Sequence, residues 1–136
     1  MSYDHSKSIN RTYKYSDLTS EIIACAMKVH SNLGNGFPEV FYQRALAIEM
    51  SKCNLSFKRE MEMSVYYNDH LIGKRRVDFF VEDKIMVELK AVIQLEDAHL
   101  SQAINYLEAY NMQVGLLINF GNSSLQFKRV QNIKRK

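Results

Sequence analysis

The sequence predicts a single α/β (α+β) domain in which helices flank a mixed central β-sheet. The periodic segments follow in the order helix, helix, three strands, helix, two strands, which suits one layered core. A length of 136 residues allows a sizeable core, and a content of 46% hydrophobic and 24% charged residues is typical of a globular chain. No apolar run approaches the roughly 20 residues that cross a bilayer, so we expect no membrane partner.

The first two elements are predicted as helices. Apolar residues at helical spacing place the first helix from about Asp17 to Leu33, with Ser16 or Asp17 as its N-terminal cap. Pro38 fits the first turn of the second helix, which is predicted at about 38–53. A short connection between the two helices follows from these bounds.

Three strands are predicted next. The first, from about Phe57 to Tyr67, alternates apolar and polar residues and is typical of a half-buried antiparallel strand. After a turn at 68–70, Gly73 is predicted to mark a bulge or bend before a second strand that runs from Val77 to Val81. The second and third strands form a hairpin, because two apolar runs flank the polar turn at 82–84.

The register of this hairpin follows from its apolar residues. Side chains alternate across a strand, so the odd-numbered apolar residues from Val77 to Leu89 are predicted to share one face. A turn centred on Asp83 predicts three cross-strand pairs, which are Val81 with Ile85, Phe79 with Val87, and Asp78 with Glu88. A two-residue turn would shift the pairing by one residue and bury the carboxylates.

The remaining elements are a helix and two strands. The helix is predicted from about Leu95 to Tyr110, with an acidic first turn. Residues 114–120 are continuously apolar, which is typical of a central strand covered on both faces. The last strand is predicted from Leu125 to Val130.

Asp78 and Glu88 are predicted to face each other across the hairpin, with Cβ atoms on the order of 5 Å apart. Lys90 lies on the same face, two residues beyond Glu88. Opposed carboxylates repel unless something neutralises them, and such oxygen pairs suit a hard cation such as Mg²⁺ or Mn²⁺. A solvated strand face with a cross-strand Glu–Lys pair is the alternative interpretation.

Two further compositional features bear on location and partners. Cys25 and Cys53 lack metal-site spacing and fall in helical patterns, so both are predicted as buried thiols in a reducing cytoplasm. The chain carries a net charge of +3, yet residues 15–127 hold ten basic and fourteen acidic residues, a balance of −4. A flexible basic arm at 1–15 and a basic tail at 131–136 are therefore predicted.

Basic ends suit phosphate contacts with nucleic acid, although solubility alone would explain them equally well. The residues predicted to make these contacts are Lys128, Arg129, Lys134, Arg135 and Lys136.

The spacing Asp-x9-Glu-x-Lys that ends at Lys90, followed by a helix and another strand, resembles the signature of the PD-(D/E)XK nuclease superfamily. The motif positions Gly36, Glu39 and Tyr42 are similar to the pattern that names the GxxExxY proteins, a small bacterial branch of that superfamily. Gln102 and Tyr106 resemble the Q-x-x-x-Y element of RecB-like nucleases. The proline that usually precedes the first acid is replaced by Val77, and the resemblance covers about residues 17–130.

The resemblance implies a restriction-endonuclease-like core over 16–130 and metal-dependent phosphodiester hydrolysis of nucleic acid, with DNA favoured over RNA. It implies that Mg²⁺ or Mn²⁺ is held by Glu39, Asp78, Glu88 and the backbone carbonyl of Leu89. The catalytic residues that it implies are Asp78, Glu88, Lys90, Gln102 and Tyr106. In this scheme the lysine positions or helps to deprotonate the attacking water, and the glutamine orients the lysine or the phosphate by hydrogen bonding. The tyrosine contacts the phosphate or packs beside a base.

Two non-catalytic alternatives stay open. A binding module on the same fold would hold nucleic acid or protein without turnover and would keep its affinity in EDTA. A vestigial site is the other, and the intact set of acids, lysine and glutamine argues against it. One or two metal ions, endo- or exonucleolytic cleavage, and a homodimer that grips a duplex are all compatible with these residues.

Overall fold

The computed structural model describes residues 14–133, so nearly all of the predicted N-terminal arm and the last three residues of the tail lie outside the described part. Within this range the elements in chain order are α1 (Ser16–Leu33), α2 (Glu39–Lys52), β1 (Phe57–Tyr67), β2 (His70–Val81), β3 (Ile85–Lys90), α3 (Asp97–Ala109), β4 (Val114–Asn119) and β5 (Gln126–Gln131). Each predicted element is present, and most ends lie within about two residues of those expected from the sequence. β2 is the exception, because it begins at His70 and not at the predicted Val77.

The five strands form one mixed sheet in the order β1-β2-β3-β4-β5. β3 and β4 run parallel and are connected through α3, whereas the other neighbouring strands run antiparallel. β4 is buried along its whole length, as its apolar sequence predicts. The predicted single α+β domain with a mixed sheet flanked by helices is therefore confirmed.

Apolar side chains form two layers that pack against different elements. The larger layer joins α1 and α2 to the sheet and includes Ile22, Leu46 and Val87. The second layer lies beneath α3 and includes Met86 and Leu107. Full burial of a side chain of this size contributes about 1.5–3 kcal/mol, so the two layers together fix where the helices sit on the sheet.

The β2–β3 hairpin has the predicted register in two of its three predicted pairs, Val81 with Ile85 and Phe79 with Val87. The third predicted pair, Asp78 with Glu88, is absent from the ladder. In the turn between these two strands, Glu82 and Asp83 each have a φ of 55°. The Glu82 carboxylate also accepts the backbone N–H of Ser56 at 2.6 Å. The three-residue turn thus sets the pairing that brings the acids of β2 and β3 to the same level.

The prediction that the odd-numbered apolar residues of β2 share one face is wrong. Phe79 packs in the layer beneath α1 and α2, whereas Val77 packs beneath α3. Phe57 and Met63 of β1 divide between the two layers in the same way. Between them lies Glu60 at φ of 55°, and a residue in this left-handed region rotates a strand and reverses its alternation.

The predictions for the cap of α1, the bulge at Gly73 and the burial of the two cysteines have different outcomes. α1 starts after Tyr15 at φ of 59° without a side-chain hydrogen bond, so the predicted Ser16 or Asp17 cap is wrong. The β1–β2 register shifts beside Val65, the partner of Gly73, which confirms a bulge there. Cys25 is buried as predicted, but Cys53 is exposed because it ends α2 at the surface.

None of the helices within residues 14–133 is both long enough and apolar enough to cross a membrane.

Candidate active site

The sheet is interrupted at Asp78. This residue has no ladder partner in β1 or β3, although the adjacent Phe79 pairs with both neighbouring strands. Its Oδ2 instead accepts the backbone N–H of Leu89 at 2.8 Å. Its own N–H points at Oε1 of Glu88, 3.4 Å away. The two acids therefore meet through side-chain to backbone contacts at a gap between β2 and β3.

Gln43 orients the Asp78 carboxylate from α2. Its side chain is buried, and its Nε2 donates to Asp78 Oδ1 at 2.9 Å. Gln43 lies four residues after Glu39, and this spacing puts both side chains on the same face of the helix. α2 thus presents one amide and one carboxylate to the gap in the sheet.

Glu88 is paired with Arg75. The Glu88 residue is 4% exposed, and its Oε2 accepts a hydrogen bond from the guanidinium Nη2 of Arg75. The guanidinium lies over the ring of Tyr106, with its Cζ 4.1 Å from the ring centroid. Tyr110 stacks beside Tyr106 at 6.4 Å between centroids. Tyr106 of α3 and Tyr110 directly after this helix therefore line this side of the site.

The electrostatics show an excess of negative charge at the gap. Burial raises the pKa of Glu88 to about 7, and Asp78 adds to the rise while Arg75 opposes it. Partial desolvation raises the pKa of Glu39, and the Asp78 carboxylate raises it further, although this residue stays in contact with solvent. Lys90 and Arg75 lower the pKa of Glu39, so all of these charges lie within mutual reach.

Lys90 ends β3 at the same site. Its backbone carbonyl accepts the N–H of Phe120 at 2.9 Å, which anchors the strand end against β4. Within residues 14–133 its ammonium group has no hydrogen bond or ion pair, so it is available for a phosphate or a water molecule. Gln102 also has no hydrogen-bond partner in the described chain, but unlike the half-buried Lys90 it is exposed on α3.

The family-motif residues have different structural roles. Tyr42 is fully buried; its hydroxyl donates to the Gly34 carbonyl at 2.7 Å and accepts the Phe37 N–H at 3.1 Å. Its ring stacks on Phe120 at 4.7 Å between centroids. Tyr42 therefore fixes the α1–α2 connection, and with it the start of the helix that carries Glu39. At Gly36 nothing lies within 4 Å of an added Cβ, so packing does not require a glycine there.

Two of the predicted phosphate-binding residues, Lys128 and Arg129, lie on β5, two strands away from Glu88 of β3. Lys128 is exposed on β5, opposite Leu117 of β4. Arg129 donates to the backbone carbonyl of Lys14 and so ties β5 to the segment before α1. Residues 134–136 lie outside the described part of the chain.

The donor set fits a hard divalent cation in its chemistry. Carboxylate oxygens are the ligands that Mg²⁺ and Mn²⁺ prefer, and each oxygen has a second lone pair beyond its present hydrogen bond. In the conformation seen here the acids are bonded to Arg75, Gln43 and Leu89, and the described residues contain no group of three or more His, Cys, Asp or Glu side chains close enough to hold a metal. A cation would therefore bind with rearrangement of the Arg75 pair.

Three residues of the site were missed by sequence reasoning. Gln43 could have been found, since it follows Glu39 at a helical spacing. Arg75 lies in a run of three consecutive cations, and without the strand reversal at Glu60 nothing distinguishes it from its neighbours. Tyr110 was placed only as a helix end, and its pKa is raised by desolvation.

The mixed sheet and the paired acids at its gap are features of a nuclease-like α+β protein. The chain belongs to the PD-(D/E)XK nuclease superfamily, whose family model matches residues 16–130. Among solved structures, the crystal structure of SSO0001 is similar in fold, with a TM-score of 0.56 at 15% sequence identity. That match covers 88% of this chain and 60% of the other, so this chain spans well under two thirds of the length of SSO0001. No curated protein matches the sequence.

Proposed function

We propose that the protein is a metal-dependent nuclease that hydrolyses phosphodiester bonds, with DNA as the preferred substrate, and that it belongs to the GxxExxY branch. The observation that carries this proposal is the gap at Asp78, where the carboxylate leaves the sheet ladder and lies beside Glu88. A purely structural acid in the middle of a sheet would more simply point to solvent or pair with a lysine. Membership of the superfamily supports the same function.

In this proposal Asp78 and Glu88 hold Mg²⁺ or Mn²⁺, with the Leu89 carbonyl and Glu39 as further ligands. When bound, the cation supplies the positive charge that activates water and offsets charge on the phosphate. Arg75 then exchanges its contact with Glu88 for a phosphate oxygen, because a guanidinium binds either anion in the same planar geometry. Gln43 keeps Asp78 oriented throughout.

Lys90 is assigned to the attacking water and to the charge that develops on the phosphate. Its ammonium group is free within the described chain and carries the charge that lowers the pKa of Glu39. Tyr106 supports the arginine through its ring, and Gln102 is assigned to an outer phosphate contact, since it is exposed. A cytoplasmic location, an arm at 1–15 and a tail at 131–136 complete the proposal.

The test is cleavage of labelled single- and double-stranded DNA and RNA in Mg²⁺, Mn²⁺ or EDTA. Asp78→Asn and Lys90→Met are each expected to lower the rate by roughly a hundredfold or more, because single catalytic groups commonly contribute that much. Asp83→Asn is the matched control, since it makes the same chemical change in the turn of the same hairpin. Circular dichroism of each variant checks the fold.

Metal-dependent cutting that is lost in Asp78→Asn and kept in Asp83→Asn would establish the nuclease and its substrate. Equal cutting by all variants would point to a contaminating enzyme. If no substrate is cut, and calorimetry shows no Mn²⁺ binding that depends on Asp78, the catalytic proposal fails.

One observation favours a second candidate, a binding module that does not cut. The Glu88 carboxylate is already paired with Arg75, so the buried acid has a partner without any metal. A pure binder is expected to keep its nucleic-acid affinity in EDTA and to be insensitive to Asp78→Asn. A nuclease is expected to need the cation for productive binding and turnover.

A further inference from the structure

The two cysteines of the chain meet between α1 and the end of α2, remote from the acids of β2 and β3. Cys25 lies in the middle of α1 and is buried, whereas Cys53 is the residue that ends α2 and is exposed. Their sulfur atoms are 3.8 Å apart, close enough for a thiol hydrogen bond. Residues 28 positions apart in sequence are thus brought into side-chain contact by the packing of α1 on α2.

A solvent-accessible cavity opens beside both thiols. It has a volume of about 260 Å³ and is lined, besides the cysteines, by Glu21, Ala24, Lys28, Glu49 and Lys52. The two lysines both pair with Glu49 and are more than half exposed, so they can also meet an incoming anion. A small molecule can therefore reach the sulfur of Cys53 from solvent.

We propose that Cys25 and Cys53 form a reversible redox site, at which a low-molecular-weight disulfide such as oxidised glutathione converts the dithiol into an intramolecular disulfide. The site needs no third ligand and no metal, and the part of the chain from 14 to 133 offers no cluster that would compete for the thiols. The proposal is independent of the nuclease function, since none of its residues belongs to the candidate active site.

The reaction proceeds by two thiol–disulfide exchanges. The Cys53 thiol loses its proton to water, and its thiolate attacks one sulfur of oxidised glutathione, which forms a mixed disulfide and releases one glutathione thiolate. The Cys25 thiol then loses its proton and attacks the Cys53 sulfur, which releases the second glutathione. Two protein thiols are oxidised by two electrons, and one glutathione disulfide is reduced to two thiols.

The exposures of the two residues set this order. Cys53 is exposed whereas Cys25 is buried, so Cys53 is the attacking residue. Burial, the Cys53 thiol and the carboxylate of Glu49 raise the pKa of Cys25 to about 12, so this thiol reacts slowly with outside reagents. A mixed disulfide at Cys53 would bring an electrophilic sulfur within a side-chain rotation of Cys25, and this proximity favours the second exchange.

The test treats the full chain with excess oxidised glutathione and follows its intact mass. The wild type is expected to end as a monomer that has lost two hydrogens and carries no glutathione, with Cys25 and Cys53 joined in a non-reducing peptide map. Its thermal midpoint is expected to rise by roughly 10 °C over that of the reduced chain, because a cross-link over about 28 residues restricts the unfolded state. Dithiothreitol should restore the original mass and midpoint.

Two serine variants test whether the reaction requires each of the two cysteines. Cys25→Ser is expected to retain one glutathione on Cys53 and to show no rise in midpoint, and Cys53→Ser is expected to react far more slowly than either chain. A wild type that keeps glutathione on Cys53, or that forms only dimers through Cys53, would overturn the proposal. If a serine variant misfolds, as judged by circular dichroism, the peptide map of the wild type still decides the outcome.

Discussion

Glu88 combines deep burial with a neighbouring carboxylate and a neighbouring guanidinium. Its pKa of about 7 shows that burial and Asp78 together outweigh the attraction of Arg75. In a protein without bound metal, this residue accepts a proton at a pH where an ordinary glutamate is ionised. The charge state of Glu88 is therefore linked to folding.

The sign of this linkage gives a stability prediction in EDTA. The native state holds a proton on Glu88 between the ordinary pKa of 4.5 and about 7, and the unfolded chain does not, so stability falls as the pH rises through that window. Relative to Glu88→Gln, which is neutral throughout, the wild type is expected to be equally stable at pH 4 and less stable at pH 8. The full difference is at most about 3.5 kcal/mol, from about 1.4 kcal/mol per pKa unit.

Urea denaturation of both chains from pH 4 to 8 measures this difference. Glu62→Gln is the control, since its carboxylate is 55% exposed on the same sheet, and its difference from wild type should not change across the window. A constant gap between wild type and Glu88→Gln at every pH would contradict the prediction.

Arg75 is bonded to the carboxylate of Glu88, which is a proposed ligand of the cation. Arg75→Gln removes this competition, so Mn²⁺ affinity is expected to rise by about tenfold, because a hydrogen bond between charged groups contributes about 1.5 kcal/mol net. Cleavage is expected to fall, since the same guanidinium is assigned to a phosphate oxygen. Titration calorimetry and a cleavage assay separate the two effects.

Lys74→Gln is the matched control for Arg75→Gln. It removes an adjacent cation of the same strand that pairs with exposed Glu62. Metal binding that weakens in Arg75→Gln would mean that the arginine supports the metal site instead of competing with it.

At the scale of elements, the sequence predicted the helices and strands correctly wherever one hydrophobic periodicity extended through a whole segment. The helices and the buried strand β4 show a single pattern, and their predicted positions are confirmed. The faces of β1 and β2 could not be predicted, because both alternations reverse where Glu60 of β1 and Asp78 of β2 leave the ladder, and this interruption has no composition signal. The same reversal brings Arg75 to Glu88, which explains why this partner was missed.

Alanine substitutions at Gly121 and Gly36 test how the loops position the candidate active site. A Cβ at Gly121 would overlap the backbone of Ala91 and Val92, in the segment that follows Lys90. Gly121→Ala is therefore expected to destabilise the protein by about 3 kcal/mol, as overpacking against backbone cannot be relieved by a side-chain rotation. Thermal denaturation measures the change.

Gly36→Ala is the control for Gly121→Ala, because open space surrounds the position. Its stability is expected to change by less than about 1 kcal/mol. Cleavage that is lost in Gly36→Ala while stability is kept would assign the motif glycine to substrate approach. A stable Gly121→Ala would show that the segment after Lys90 can move.

At the scale of the whole molecule, sequence spacing identified the acids, but only the fold shows what surrounds them. Asp78, Glu88 and Lys90 could be singled out because a hairpin register is a local property. Gln43 comes from α2 and Tyr110 follows α3, so their convergence on the acids depends on how the helices pack on the sheet, whereas Arg75 reaches Glu88 from β2 itself. Long-range packing of this kind has no signature in a single sequence.

The distribution of charge over the whole chain gives the last prediction. Residues 15–127 have a balance of −4 within a chain of net charge +3, so the basic ends are expected to add to the phosphate contacts proposed for Arg75 and Lys90. If Lys134, Arg135 and Lys136 contact phosphates, deleting residues 134–136 should reduce the slope of log affinity against log salt by about 2–3, because each contact with duplex DNA contributes about 0.9. Fluorescence anisotropy in EDTA, from low to moderate salt, measures the slope without cleavage. Lys28→Ala, which removes an exposed cation from α1, should leave the slope as it is in the wild type. An unchanged slope after the deletion would show that the basic tail makes no phosphate contact and would leave solubility as the reason for its charge.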